Sequence, residues 1–169
     1  AGSGPILLTL KLDNFAAISE YIGHEATDAV LIQVASILSR ILPYPALCSR
    51  VMGDTFLACV PAGGMDAAVR SAEQVIQAVN GIVVPGFSAA FELRAAVGLT
   101  SVARRDLNFA IRLSDTAVNE ARAAGVNRAI VATVPLATEM ARDLAAAIEV
   151  GSWEVWLQPV AGEPGGHAL

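Results

Sequence analysis

The amino-acid sequence predicts an α/β (α+β) domain in which helices flank a central mixed sheet that includes a β-hairpin. Apolar runs of strand length alternate along the chain with segments whose apolar residues follow helical spacing. Two strand-like runs are separated only by residues 52–54, a length typical of a hairpin. The hairpin contributes an antiparallel pair, so a purely parallel sheet is not expected. The chain is 54% hydrophobic and 16% charged, which suffices for a full core and argues against disorder.

Local signals place the individual elements. Gly23 ends a short first helix, and Thr27 or Asp28 is a candidate N-cap of the second. Gly53 supplies the positive φ that a tight hairpin turn requires. Gly98 indicates a close backbone approach within a strand. The predicted elements, in chain order, are a strand at 6–12, helices at 15–22 and 28–42, strands at 46–51 and 55–60, a helix at 65–79, a short strand at 82–84, a strand at 91–101, a helix at 106–124, a strand at 128–132, a helix at 135–150 and a strand at 153–159.

Composition and charge exclude several classes of function. The formal net charge is −5 and the basic residues are scattered, so nucleic acid is not an expected partner. No apolar run approaches the ~20 residues of a membrane span, so this stretch of chain is not expected to contact a membrane. Cys48 and Cys59 lie on neighbouring predicted strands. Their side chains could face each other, but with a cytoplasmic location they are expected to be reduced thiols in the core.

Five pieces of sequence occur in an order and at a spacing that resemble one known family. They are the first strand with Asp13 and Phe15, the dipeptide Gly23-His24, Asp28, the hairpin at 50–56 and the segment at 114–128. Together they resemble the GGDEF (diguanylate cyclase) family over residues 6–132. The resemblance implies the nucleotidyl-cyclase-like fold, which is related to the adenylate cyclase catalytic core. Active members of that family join two GTP molecules into cyclic di-GMP between two facing domains, and two metal ions hold the triphosphate.

The resemblance implies a vestigial active site that departs from the family pattern. Lys11 falls on the family's first metal-binding aspartate, and an ammonium group does not ligate Mg²⁺. Thr55 replaces the glutamate thought to assist catalysis, and Met52 replaces a glycine against which the nucleotide lies. Asp54 keeps an acid at the second metal-binding position. The vestigial positions are Lys11, Asp13, Met52, Gly53, Asp54, Thr55 and Phe56.

A smaller group of residues corresponds to the family's nucleotide contacts. Ser19 replaces an asparagine that reads the guanine edge, whereas Asp28 retains the guanine-contacting aspartate. Arg122 keeps the charge of a lysine that contacts phosphate. The family's product-inhibition motif, Arg-x-x-Asp, is absent, because its two ends fall on Pro43 and Ala46.

Structural roles remain open for the same residues. Asp28 is also typical of a helix N-cap, and Arg122 of a solvated cation at a helix end. Asp13 is open to interpretation as a helix cap, and Asp54, which lacks a partner acid, as a turn residue. Two interpretations of Lys11 stay open. In one, its side chain snorkels from the sheet edge and keeps its ammonium in water. In the other, its ammonium occupies the position of the family's metal ion as a built-in cation and pairs with Asp54.

The end of the chain carries a second resemblance. Residues 143–160 combine a helix, a glycine, an aromatic-rich strand and Gln-Pro-Val. They resemble the opening of an EAL domain, a family of cyclic-di-GMP phosphodiesterases and receptors, and an ordinary C-terminal helix and strand is the alternative. The resulting domain prediction is a cloning remnant or linker at 1–5, a degenerate GGDEF domain at 6–134, and a linker helix with the start of a truncated EAL domain at 135–169.

The departures from the family pattern predict a domain without diguanylate cyclase activity and without a cofactor. Its expected role is a regulatory or structural module in bacterial cyclic-di-GMP signalling, which relays a signal to a C-terminal EAL domain in the same chain. The alternative is an allosteric domain that binds GTP with Mg²⁺ and thereby activates the EAL phosphodiesterase. A homodimer is also expected, because active relatives work as pairs. The expected location is the cytoplasm, or the cytoplasmic part of an inner-membrane protein.

Overall fold

The computed structural model describes residues 4–61, 63–88, 91–102 and 107–134. In chain order the elements are β1 (Ile6–Leu12), α1 (Phe15–Ile41), β2 (Leu47–Met52), β3 (Thr55–Val60), α2 (Met65–Asn80), β4 (Ala95–Ser101), α3 (Leu107–Ala123) and β5 (Arg128–Val131). Apart from the first two helices, which form one element, and the strand expected at 82–84, the predicted succession of elements as far as β5 is confirmed. The helix predicted at 135–150 and the strand predicted at 153–159 lie outside the described residues.

The strands form one mixed sheet in the order β2-β3-β1-β4-β5. The central strand β1 is antiparallel to both β3 and β4, β2 and β3 form an antiparallel hairpin, and β4 and β5 are parallel. The predicted mixed sheet with a hairpin is therefore confirmed. Because β1 is central, its C-terminal end lies between the hairpin turn and the start of β4. The amide of Leu12 donates to the carbonyl of Asp54 at 3.0 Å, and the amide of Asp13 donates to the carbonyl of Arg94 at 2.8 Å.

Helices cover both faces of this sheet. On one face, Leu10 of β1 is fully buried in the main core together with Val34 of α1 and Val75 of α2. Burial of such apolar area stabilises the fold by roughly 25 cal/mol per Å². On the other face lies α3, whose Ser114 hydroxyl forms a buried hydrogen bond of 2.6 Å with the hydroxyl of Thr9. The two faces of β1 thus differ in chemistry, and side chains alternate between them along the strand.

The close backbone approach predicted at Gly98 is found between β4 and α3. A Cβ atom at this position would collide with the carbonyl oxygen of Ser114 and would lie 2.9 Å from the amide nitrogen of Val118. Glycine is therefore the residue that lets α3 pack directly on the strand.

The two predicted N-terminal helices are instead one element with a kink. Gly23 has φ 80° and ψ 172°, a non-helical conformation, and α1 resumes immediately after it. The hydroxyl of Thr27 donates to the carbonyl of Gly23 at 2.7 Å, as in a helix interior. Neither Thr27 nor Asp28 therefore caps a helix, and that prediction was wrong. Its cause is that a glycine with positive φ interrupts the helix for one residue without needing a new cap.

The connector between α2 and β4 also differs from the prediction. Residues 82–84 form no strand, although Ile82 and Val84 are buried and Val83 is 70% exposed. That alternation resembles a half-buried strand, but the segment has no pairing partner in the described sheet. The strand predicted at 91–101 begins only at Ala95. Apolar alternation reports which side chains are buried, and it does not require a strand partner.

The remaining expectations concern the thiols and the membrane. Cys48 lies opposite Ala58, whereas Cys59 lies opposite Leu47, so the two thiols project from opposite faces of the hairpin. Both cysteines are free, but Cys48 is exposed and Cys59 is only half-buried, so their expected place in the core was wrong. None of the helices within the described ranges has the length and apolar character needed to cross a membrane.

Candidate functional site

The hairpin turn is fixed beside the end of the central strand. Gly53 has φ 40°, and a bulge between Arg50 and Met52 shifts the register of β2 just before the turn. The amide of Leu12 donates to the carbonyl of Asp54, which ties the turn to β1. Phe56, which follows the turn in β3, is 3% exposed and anchors this strand in the core. The turn therefore presents its backbone and the Asp54 side chain at a defined place on the sheet.

A cleft opens between this turn and the first helix, and we name it the α1 cleft. Its volume is about 360 Å³. Ser19 of α1 lines it on one side, and Arg50, Gly53 and Asp54 line it on the other. An adjoining cavity of about 280 Å³ is lined by Asp28 and shares Arg50 with the cleft. The fold thus brings together Ser19, Gly53 and Asp54, and places Asp28 next to them.

The polar groups of the α1 cleft have specific partners. The hydroxyl of Ser19 donates to the carbonyl of Ala16 at 2.8 Å, so its oxygen lone pairs remain available as acceptors. A carboxylate oxygen of Asp54 accepts from the hydroxyl of Thr55 at 3.0 Å. Asp28 is exposed. The cleft therefore offers the Asp54 carboxylate and the Arg50 guanidinium, and the Asp28 carboxylate lies in the adjoining cavity.

Asp13 forms the centre of a charge cluster just beyond β1. Its side chain is only 9% exposed and makes ion pairs with Arg94 at 3.0 Å and Arg122 at 3.5 Å. The side-chain amide of Asn14 donates to the same carboxylate at 3.2 Å. Asn14, rather than Asp13, is the N-cap residue of α1, and it makes no side-chain cap bond. The interpretation of Asp13 as a helix cap is therefore wrong, because its carboxylate is engaged with arginines.

Arg122 occupies the last turn of α3, where the helix dipole favours a cation. Its side chain is 37% exposed, so the interpretation as a fully solvated cation does not hold. One terminal nitrogen contacts Asp13, while the buried Nε has no hydrogen-bond partner among the described residues. Arg122 is not among the residues that line the α1 cleft or the cavity beside it, so the fold does not bring it together with Ser19 and Asp28.

Lys11 lies on the opposite side of the sheet from the α1 cleft. It belongs to the central strand, so its side chain does not snorkel from a sheet edge as one interpretation held. Opposite it in β3 is Thr55, and both residues line a separate cavity of about 250 Å³ beside α3 together with Met52 and Asp115. In the described part of the chain, no ion pair joins Lys11 to Asp54. The built-in cation pair with Asp54 is therefore not formed.

The charge of Lys11 acts on a different acid. Partial burial raises the pKa of the Asp115 carboxyl, and the nearby positive charge of Lys11 opposes that rise. Met52, which is 75% exposed, lies at this same cavity and not at the α1 cleft. The substituted positions Lys11, Met52 and Thr55 therefore cluster on the α3 side, apart from the surface that Gly53 and Asp54 present.

The donor set does not by itself fit a resident metal centre. Among the described residues, no group of three or more His, Cys, Asp or Glu side chains is placed to hold a metal ion. Of the described residues that line the α1 cleft, Asp54 is the one that carries a carboxylate. Mg²⁺ prefers six oxygen ligands and is often bound by one or two carboxylates together with substrate phosphates. A divalent ion at Asp54 would therefore need most of its ligands from a bound phosphate group and water.

The sequence predicted no functional role for two residues of these clusters. Arg94 precedes β4 and reaches Asp13 only because β4 pairs with β1, a long-range contact that leaves no local signal. Asp115 lies in the middle of a regular amphipathic helix and has the pattern of an ordinary solvated acid. The one sequence signal for Asp115 is that it is a lone acid on the edge of the helix that faces the strands.

The amino-acid sequence matches, over residues 2–128, the family model described as "Diguanylate cyclase, GGDEF domain". The chain belongs to the GGDEF family of diguanylate cyclases. This agrees with the mixed sheet, the hairpin turn and the flanking helices. The resemblance inferred from the separate motifs is thereby confirmed at the level of the family. Domains of this family use GTP as their substrate and Mg²⁺ as their metal.

Individual relatives support the same assignment. A protein from Vibrio cholerae named "Diguanylate cyclase" is 27% identical over 126 residues, covering 73% of this chain and 39% of the relative. "Probable diguanylate cyclase DgcE" from Escherichia coli is 34% identical over 74 residues, covering 44% of this chain and 7% of the relative. The chain thus spans well under half the length of these curated relatives.

Two solved structures share the fold. The active GGEEF domain of a diguanylate cyclase from Vibrio cholerae superposes with a TM-score of 0.68 at 25% identity, covering 78% of this chain and 85% of that one. The diguanylate cyclase SiaD from Pseudomonas aeruginosa, solved with its activator SiaC, has a TM-score of 0.70 at 26% identity, covering 78% and 51%. The predicted nucleotidyl-cyclase-like fold is confirmed.

These comparisons overturn one prediction made from the sequence. The substitutions at Lys11, Met52 and Thr55 predicted that the chain is not an enzyme. The relatives that it matches are named diguanylate cyclases, and one structural neighbour is the active domain of such an enzyme. The prediction is therefore corrected to membership of an enzyme family. The substitutions lie on the α3 side of the sheet and are not by themselves evidence of inactivity.

Proposed function

We propose that this GGDEF domain binds GTP in the α1 cleft and that nucleotide occupancy regulates an attached domain in cyclic-di-GMP signalling. The observation that carries the proposal is the convergence of Ser19, Arg50, Gly53 and Asp54 on one cavity, with Asp28 in the cavity that adjoins it. The family's use of GTP supports the choice of ligand.

The chemistry of the cleft suits a guanine base. Guanine carries N–H donors on its Watson–Crick edge and acceptors at O6 and N7. An ionised Asp28 accepts hydrogen bonds only, which matches the donors, and the Ser19 oxygen adds a second acceptor. Adenine presents a different donor and acceptor pattern on its edge. Selection of GTP over ATP therefore follows from the proposed contacts.

The phosphate end of the nucleotide would lie toward the turn, where Arg50 also lines the α1 cleft. The glycine at position 53 has no side chain to obstruct a phosphate that approaches the turn. Arg50 and the Asp54 carboxylate, which both line the α1 cleft, supply a cation and a metal-binding oxygen group. Mg²⁺ would arrive with the triphosphate and share Asp54 with the phosphate oxygens. This division matches the donor set better than a resident metal centre does.

The partner in this proposal is an EAL domain in the same chain. Its support is the resemblance of residues 143–160 to the opening of an EAL domain. In such an arrangement the GGDEF domain relays nucleotide occupancy to the EAL domain and associates as a homodimer in the cytoplasm. The predicted boundaries, 1–5, 6–134 and 135–169, belong to the same proposal.

A second candidate function is the formation of cyclic di-GMP from two GTP molecules by a pair of these domains. The names of the relatives favour it, because both curated relatives are named as diguanylate cyclases. Both candidates share the GTP-binding step. The two candidates differ in whether cyclic di-GMP accumulates.

Calorimetric titration of GTP with Mg²⁺ into the purified chain tests the shared step. Asp28→Ala removes the proposed guanine acceptor and should weaken GTP binding at least about tenfold, the effect of losing a hydrogen bond to a charged group. Asp66→Ala is a matched control, because Asp66 is an exposed acid in the first turn of α2. An absence of saturable heat at about 1 mM GTP sinks the proposal. Chromatographic assay of the same samples for cyclic di-GMP separates the two candidates.

A further inference from the structure

The cavity that contains Lys11 is a second site, separate from the α1 cleft, and we name it the α3 pocket. Its volume is about 250 Å³, and none of the residues that line it also lines the α1 cleft. Met52 and Leu57 form the wall on the hairpin side, and Ile111 and Val118 of α3 form the other. Ligand pockets in proteins usually measure about 300–1,000 Å³, so an occupant of the α3 pocket has to be small.

Two opposite charges line this pocket without neutralising each other directly. Lys11 approaches from β1 and Asp115 from α3, and both line the same cavity. Within the described ranges of the chain, they form no ion pair with each other, and neither makes a side-chain hydrogen bond. The charge of Lys11 nevertheless reaches Asp115 through space. The pocket therefore presents one ammonium and one carboxylate that are close but not in contact.

Two further polar side chains that line the pocket are already engaged, whereas the side-chain amide of Asn119 has no hydrogen-bond partner among the described residues. The hydroxyl of Thr9 bonds to the hydroxyl of Ser114 at 2.6 Å, and the hydroxyl of Thr55 donates to Asp54 at 3.0 Å. The recognition chemistry left at this site is thus an ammonium, a carboxylate, the Asn119 amide and apolar walls.

We propose that the α3 pocket binds a small zwitterion of the aliphatic amino-acid class. The carboxylate of the ligand contacts the ammonium of Lys11, its ammonium contacts the carboxylate of Asp115, and its side chain packs against the apolar walls. A simple anion is disfavoured because Asp115 repels it, and a simple cation is disfavoured because Lys11 repels it. A ligand with both charges satisfies both residues. This inference does not rest on the proposed binding of GTP.

Three probes of matched shape test the charge requirement. L-leucine carries both charges, 4-methylpentanoate lacks the ammonium, and 3-methylbutylamine lacks the carboxylate. Binding is measured by calorimetry or by chemical-shift perturbation on the GTP-free chain. L-leucine should bind at least about tenfold more tightly than either analogue, because each analogue leaves one pocket charge unpaired.

Two variants assign the charges to residues. Lys11→Met should remove the advantage of L-leucine over the amine, and Asp115→Asn should remove its advantage over the carboxylate. Asp66→Asn, an exposed acid on α2, is the matched control and should change neither ratio. Circular dichroism checks that each variant is folded, and Asp115→Asn, at the exposed rim, keeps the test valid if Lys11→Met does not fold.

Specific outcomes overturn the inference. They are equal binding of the three probes, no saturable response to L-leucine at about 10 mM, or unchanged ratios in both variants. Failure of GTP to bind leaves this inference standing, and competition between GTP and L-leucine for the free protein counts against two separate sites.

Discussion

Arg94 and Asp13 form an ion pair of 3.0 Å that links the start of β4 to the end of β1. The carboxylate is 9% exposed, and Arg122 from the end of α3 approaches its other oxygen at 3.5 Å. Three elements that are distant in sequence are thereby joined through one acid. The same acid follows the central strand directly and precedes α1, which forms one wall of the α1 cleft. Its charge balance therefore bears on both the stability of the fold and the position of Arg122.

Asp13→Ala should lower the free energy of unfolding by about 2 kcal/mol, because two guanidinium groups lose their shared carboxylate. Arg94→Ala should have a smaller effect of about 1 kcal/mol, since Arg94 is 48% exposed and solvent screens the pair. Arg70→Ala, an exposed arginine on α2, is the control and should lie within about 0.5 kcal/mol of the parent. Urea denaturation of the four proteins measures these differences. Equal stability of Asp13→Ala and the control contradicts a structural role for the cluster.

Gly98→Ala should destabilise the domain by about 3 kcal/mol, because the new Cβ would collide with the backbone of Ser114 and force β4 and α3 apart. Gly63→Ala is the matched control. A Cβ at Gly63 meets only the carbonyl of Pro61 at 3.9 Å, an ordinary contact. Thermal unfolding followed by circular dichroism compares the two. If both substitutions lower the melting temperature by the same amount, the direct packing of α3 on β4 is refuted.

Lys11→Asp should place two carboxylates in the α3 pocket, because Asp115 lines the same cavity. Their repulsion should lower stability by about 1 kcal/mol in the absence of divalent ions. Mg²⁺ at millimolar concentration should restore part of the loss, since a carboxylate pair is a ligand set that Mg²⁺ binds. Lys11→Met is the control and should show no response to Mg²⁺. If the stability of Lys11→Asp does not depend on Mg²⁺, the side chains at positions 11 and 115 do not share the pocket.

Asp115→Asn should be slightly more stable than the parent at neutral pH and equal to it in acid. Burial raises the pKa of this carboxyl in the folded state, so the folded protein holds the proton more tightly than the unfolded chain. Stability from this group is present below the unfolded pKa of about 3.9 and declines as pH rises through the higher folded pKa. Denaturation curves at several pH values test the sign. The predicted sign is contradicted if the parent becomes more stable relative to Asp115→Asn as the pH rises from the unfolded pKa through the folded pKa.

Local sequence signals predicted the elements that depend on local chemistry. The hairpin followed from three residues between two apolar runs, and the close packing of α3 followed from Gly98 in a strand. The strand predicted at 82–84 failed because burial of Ile82 and Val84 produces alternation without a pairing partner. The N-caps at Thr27 and Asp28 failed because Gly23 interrupts α1 for a single residue.

The candidate site was only partly predictable, for a different reason. The structure places Ser19 and Asp54 at one cleft and Asp28 in the cavity beside it, since each lies near the turn or on α1. Their role in nucleotide binding stays a prediction. The sequence could not predict toward which face of the sheet the Lys11 side chain points relative to α3, because this depends on which face of β1 carries α3. The partnership of Asp13 with Arg94 depends on the pairing of β1 with β4, which no local pattern encodes.

The most direct test of the account is the comparison of GTP and ATP, each with Mg²⁺, in calorimetric titrations of the same protein preparation. Hydrogen bonds from the guanine edge to Asp28 and Ser19 predict that GTP binds at least about tenfold more tightly than ATP. The difference should disappear in Asp28→Ala and persist in Asp66→Ala. Equal affinities for the two nucleotides, or no binding of GTP at about 1 mM, would contradict the assignment of the α1 cleft as a guanine nucleotide site.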